Sequence, residues 1–70
     1  MKVKEGKTYK AIFSNAICGE GELIKINKIY SGRTCFEFDC VVLNSGEEKR
    51  GIPLSSAFSI LFKNKGVDDE

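Results

Sequence analysis

The sequence predicts an all-β domain, a small five-stranded barrel with a single 3₁₀ turn before its last strand. Three observations carry that expectation. Side chains alternate between apolar and polar from Phe36 to Val42, glycine-containing turn signals punctuate the chain, and the apolar phase slips once between Ile26 and Ile29. Residues 1–63 are expected to form the one domain and residues 64–70 an acidic, disordered tail.

The first strand runs from Lys7 to Ser14, with Tyr9, Ala11 and Phe13 on one side and Thr8, Lys10 and Ser14 on the other. Ile12 departs from this pattern and implies a partly covered outer face. Asn15 to Glu22 is a loop in which Gly19 and Gly21 permit backbone conformations closed to other residues. The second strand, Glu22 to Tyr30, points Ile24 and Ile26 inward, and a bulge at Asn27 or Lys28 would return Ile29 to the core and bend the strand. Ser31-Gly32 then turns the chain into the third strand, Arg33 to Leu43. There Phe36, Phe38, Cys40 and Val42 share the core face and Glu37, Asp39 and Val41 the other, so a one-residue slip would bury two carboxylates.

Asn44-Ser45-Gly46 is a three-residue hairpin signal with glycine at the left-handed position. Glu47 to Pro53 returns antiparallel, and Pro53, lacking an amide proton, belongs at a strand end or on a sheet edge. Leu54 to Ser59 is too short for a stable α-helix and suits a 3₁₀ turn, after which Ile60 to Phe62 forms the last strand. The aromatic side chains Tyr9, Phe13, Phe36, Phe38, Phe58 and Phe62 are expected in the core.

Composition narrows the function. A domain of 70 residues buries only about 60% of the surface its unfolded chain exposes, which leaves little room for a deep, dry active site. Its 11 basic and 10 acidic side chains give a net charge of +1, so no broad field draws a polyanion to it. The absence of histidine removes the commonest general base and the commonest zinc ligand. Cys18, Cys35 and Cys40 are odd in number and contain no Cys-x-x-Cys pair, which favours reduced thiols and no metal site. Of these, Cys40 is expected in the core, Cys35 outward and Cys18 exposed beside Gly19. No apolar run suggests a membrane span or a signal peptide, so the expected location is cytoplasmic. Neither a cofactor nor a catalytic residue is expected.

The segment Gly51, Ile52, Pro53, Leu54, Ser55, Ser56, Ala57, Phe58, Ser59, Ile60, Leu61 resembles the closing stretch of SH3-like small barrels. In that superfamily a glycine, an apolar residue and a proline precede a 3₁₀ turn that ends in an aromatic and a final strand. The order of elements along most of the chain is similar too, and the resemblance implies an SH3-like barrel. It does not bring polyproline recognition with it, because the chain has no tryptophan and no acidic first loop beside tandem tyrosines. A five-stranded Greek-key barrel of the OB type would place a helix between the third and fourth strands, and Leu43 to Glu48 leaves no room for one.

Tyr30 adjoins the Ser31-Gly32 turn and precedes Arg33, and tyrosine and arginine are enriched in binding hot spots. Lys25 and Lys28, with Lys10, can gather beside them, opposed across the sheet by Glu37 and Asp39. Gly19 and Gly21 complete the candidate set as a loop whose backbone amides could hold phosphate. The leading expectation is a non-enzymatic protein-interaction module that engages a protein partner through a strand edge or loop surface, or pairs with a second copy as a homo-oligomer. Nine lysines to two arginines, seven isoleucines and four asparagines indicate AT-rich coding. They fit a phage or mobile-element accessory protein that inhibits or sequesters a host factor. The alternative is a nucleic-acid or nucleotide-binding small barrel that uses the same residues and weakens with salt.

Overall fold

The computed structural model describes residues 3–64. Five strands and one helical turn follow in the order β1 (Thr8–Ala11), β2 (Leu23–Ser31), β3 (Phe36–Val42), β4 (Glu48–Pro53), α1 (Phe58–Leu61) and β5 (Phe62–Asn64). All neighbours pair antiparallel in one sheet of order β4-β3-β2-β1-β5. The fold is all-β. The sheet is open, because β4 and β5 form its two edges and no ladder joins them among the described residues.

Register explains which side is the core. Tyr9 lies opposite Ile24 and Ile24 opposite Val42, while Ile26 faces Cys40 and Ala11 faces Phe62. Each of these side chains is buried, so a single face of the sheet collects the apolar residues of four strands. The phase slip in β2 is resolved as the sequence predicts: the register shifts between Ile26 and Lys28, and Ile29 packs against the core. A second shift, between Phe38 and Cys40, lies in the β3–β4 ladder. The β3–β4 hairpin closes at Gly46, whose φ of 76° suits glycine and whose amide donates to the Val42 carbonyl at 2.7 Å.

Phe58 covers this face. Its ring stands edge-on to Tyr9 at 5.2 Å and to Phe38 at 5.6 Å, and stacks on Phe62 at 4.6 Å. Such pairs add about 0.5–1.5 kcal/mol each beyond the area they bury. The helical turn that delivers Phe58 falls later than the sequence suggests, and it shifts the last strand with it. Ser55 accepts from the Ala57 amide through its hydroxyl and from the Phe58 amide through its carbonyl, so a turn forms first and the helix begins only at Phe58. Ile60 and Leu61 are therefore helical rather than extended, and β5 reaches Asn64, which pairs with Tyr9. Asn64 is thus part of the sheet, and the rest of the expected tail, 65–70, lies outside the described residues.

Two aromatics expected in the core are not there. Phe13 and Phe36 are 56% and 58% exposed. The β1 ladder ends at Ala11, before Phe13, and β3 starts only at Phe36, because Gly32 donates to the Cys35 carbonyl and holds Arg33 to Cys35 in a turn. Alternation assigns both rings to the core face, but each lies where that face has run out.

Phe58→Ala should cost about 3–5 kcal/mol, comparable to the whole stability a core of this size supplies, roughly 3–5 kcal/mol. The variant is expected to be largely unfolded by far-ultraviolet circular dichroism. Phe58→Leu keeps most of the volume but loses the ring contacts, and is expected to stay folded with Tm lower by roughly 4–8 °C for each kcal/mol lost.

Candidate functional site

On the face of the sheet opposite the core, three strands meet at one carboxylate. Asp39 of β3 accepts a hydrogen bond from the Tyr30 hydroxyl of β2 at 2.8 Å and one from the Gly51 amide of β4 at 3.0 Å, both on Oδ1. The register shift between Phe38 and Cys40 makes this reach possible, since it leaves Gly51 without a residue directly opposite. Gly51 adopts φ 66°, a conformation glycine takes without strain. These donors hold the Asp39 carboxyl below the usual carboxylate range, the Gly51 amide contributing most and the Tyr30 hydroxyl next. The same bond raises Tyr30 above the usual phenol range, because donating to the Asp39 carboxylate favours the protonated hydroxyl. Lys28 completes the cluster with its ammonium 5.8 Å from the centre of the Tyr30 ring.

The residues singled out from sequence separate in space. Tyr30 and Lys28 come together on the outer face. Arg33 sits beyond the end of β2, exposed in the turn, with no ion pair among the described residues. Lys25 lies on the outer face opposite Thr8 on one side and Val41 on the other. Lys28 is in register with Asp39, but Asp39 is taken by hydrogen bonds, so the expected cross-strand ion pair is not formed. Gly19 and Gly21 offer phosphate no free amide: Gly19 donates to Glu22 Oε2 at 3.2 Å and Gly21 to the Ala11 carbonyl at 2.8 Å. Asn15 Oδ1 accepts from Ile17 and Cys18, and Ser14 Oγ accepts from Glu20, so the loop spends its donors on its own shape.

Two of the three thiols, Cys18 and Cys40, are quiet. Burial raises Cys18, which is packed against the core rather than exposed, and pushes Cys40 up to about 11. Both stay protonated near neutral pH and are weak nucleophiles.

Register also assembles a row that local sequence reading misses. Lys63 lies opposite Lys10, Lys10 opposite Leu23, and the Leu43 amide donates to the Leu23 carbonyl at 2.9 Å, so Lys63, Lys10 and Leu23 cross three strands on the outer face and Leu43 continues the row just past the end of β3. Leu23 and Leu43, with Gly21, Glu22 and Asn44, line a surface notch of about 360 Å³. Only non-local pairing brings these residues together, and no short motif announces it.

The Asp39 junction gives a pH signature. Its lowered value means that its stabilisation is complete above the ordinary carboxylate value near pH 4 and is lost as pH falls through the folded-state value; the raised Tyr30 value means that its share is complete below about pH 10 and is lost as pH rises through the folded-state value. Tm followed against pH should show both limbs in the wild type, neither in Asp39→Asn, and only the acid limb in Tyr30→Phe. Superimposable wild-type and Asp39→Asn profiles would exclude the junction. No protein-family model matches this chain, and neither does any curated protein or solved structure, so its own surface chemistry has to carry the functional reading.

Proposed function

We propose that this chain is a small SH3-like barrel that works as a non-enzymatic protein-interaction module. The observation that carries the reading is the amount of apolar surface left in water. Phe13, Phe36, Leu43 and Ile60 are each 46–62% exposed, beside a core of only nine buried side chains among the described residues. Single exposed apolar residues are ordinary, but four large ones on so small a domain are a cost to solubility that a partner's surface offsets. Two of them share a location: Phe13 follows Ile12, whose amide donates to the Leu61 carbonyl, so Phe13 and Ile60 flank the same end of the β1–β5 ladder. The register shifts in β2 and in the β3–β4 ladder support the barrel reading, since bulges bend and twist strands as the curling of a sheet requires.

The sheet edges favour binding through faces rather than through added strands. Strand β4 carries Glu48 and Arg50 exposed, Lys49 opposite Cys40 on the core side, and a register shift, all of which oppose pairing with another strand. Strand β5 offers only three residues. Against the nucleotide alternative stand the spent amides of the glycine loop and the Tyr30 hydroxyl and ring, already engaged by Asp39 and Lys28.

Affinity capture from a lysate of the source cell tests the reading, with Phe13→Ser, Phe36→Ser, Leu43→Ser and Ile60→Ser as companions. A hot-spot anchor is worth about 2 kcal/mol, so at least one variant with unchanged Tm should retain roughly thirtyfold less of a specific protein. Capture of nucleic acid alone, with affinity falling steeply as salt is added, would replace this reading with the alternative.

A further inference from the structure

The outer face contains an unrelieved electrostatic cost. Lys10 and Lys63 stand directly opposite each other on β1 and β5, and like charges in that relation are destabilising. Lys25 lies two residues along β2 from Leu23, the neighbour of Lys10, and adds a third ammonium group to the same face. None of the three forms an ion pair among the described residues, where the only two bridges are Lys49–Glu47 and Arg50–Glu48. The nearest carboxylate along the chain, Glu22 at the notch, has Oε2 turned to the Gly19 amide.

Next to this charge the same row becomes apolar. Leu23 and half-exposed Leu43 form the wall of a notch whose volume of about 360 Å³ falls within the range of small-ligand pockets, roughly 300–1,000 Å³. Ammonium groups at one end and a leucine-lined recess at the other define a complementary occupant with carboxylates beside an apolar side chain. Resting on the protein-interaction reading, we propose that the row Lys63, Lys10, Leu23, Leu43, with Lys25 at its flank, docks an acidic peptide segment of a partner protein, its apolar anchor in the notch and its carboxylates over the lysines.

A nucleic-acid strand fits less well. The row offers no aromatic face for a base, and the surface turns acidic toward β3, where Glu37 and Asp39 would repel a continuing polyanion. A partner segment can be acidic over the lysines and apolar over the notch, which a phosphodiester chain cannot.

The test is a titration of the whole protein, followed by amide proton–nitrogen correlation spectra, with the acetylated and amidated peptide Asp-Glu-Glu-Leu-Phe-Glu-Asp. Controls are the same peptide with glycines in place of Leu-Phe, one with lysines in place of its acids, and a short oligothymidylate. Saturable shifts are expected at the amides of Lys10, Leu23, Leu43 and Lys63 with the first peptide alone. Affinity should fall about tenfold or more in Lys10→Glu and in Leu43→Ser, and severalfold between about 50 and 300 mM salt. Lys10→Glu also turns a like-charge pair into an opposite-charge one, so its Tm should hold or rise, and lost binding cannot be put down to unfolding.

Shifts confined to Phe13 and Ile60, equal affinity in Lys10→Glu, a stronger response to oligothymidylate, or self-association through this row would each overturn the proposal. If a lysate partner is captured as strongly by Lys10→Glu as by wild type, this docking row fails while the interaction reading stands. If nothing but nucleic acid is captured, the reading itself fails.

Discussion

The structure depends on the covering of one sheet face by one aromatic side chain. A single sheet of five strands has an apolar side that needs a second layer, and among the described residues the chain supplies the turn Phe58–Leu61 and residues outside the strands such as Val3, Ile17, Cys18 and Leu54. Phe58 is the member of that cover that meets aromatic rings from β1, β3 and β5. The register shifts in β2 and in the β3–β4 ladder belong to the same solution, since each bends and twists a strand and so lets a short sheet wrap toward its own cover. Because the cover is so small, the core stops at Ala11 on β1 and at Phe38 on β3. The rings just beyond, Phe13 and Phe36, remain in water.

That packing limit decides what the surface displays. The side chains that the core cannot take are displayed at the ends of ladders and on the outer face, where they are held by paired backbone or short turns. The Asp39 junction serves the same end on the outer face. It ties β2, β3 and β4 through a single half-buried carboxylate at a point where the ladder is irregular. Edge protection at β4 and the brevity of β5 leave side chains rather than unpaired backbone donors as the main surface the sheet presents.

Much of this was legible in the sequence, and the illegible parts share a cause. The alternation Phe38, Cys40, Val42 gave the core face of β3, the phase slip at Ile29 gave the bulge, and Gly46 and Pro53 marked a turn and a strand end, because each is a rule about neighbours in the chain. Phe13 and Phe36 obey the same alternation, but Phe13 lies past the end of its ladder and Phe36 is the terminal pair of its own, and ladder ends are set by which partner residues remain. The helical turn slid to Phe58 because Ser55 formed a local turn first, a competition that propensity alone does not decide. Tyr30 was picked out beside Arg33, its sequence neighbour, whereas its actual partners are Asp39 and Gly51 on other strands. The row from Lys63 to Leu43 required three registers to be known at once.

The same registers show why a net charge of +1 is a poor guide to this surface. In the row Thr8, Lys25, Val41, Glu48, the lysine and the glutamate are two strands apart. At about 4.8 Å per strand the separation is about 10 Å, slightly more than the screening length of about 8 Å at physiological salt. Charge over the outer face is therefore uneven at contact range: Lys63 and Lys10 stand without carboxylates over β5 and β1, whereas over β3 and β4 the carboxylates Glu37, Asp39 and Glu48 outnumber Arg50, which is bridged to Glu48. The nearly balanced sum governs only the weak field farther out. A uniformly charged polymer meets attraction and repulsion within a few strands. A partner whose charge changes sign, or ends, over the same distance is oriented as it arrives, and orientation is where charge contributes most to specific association.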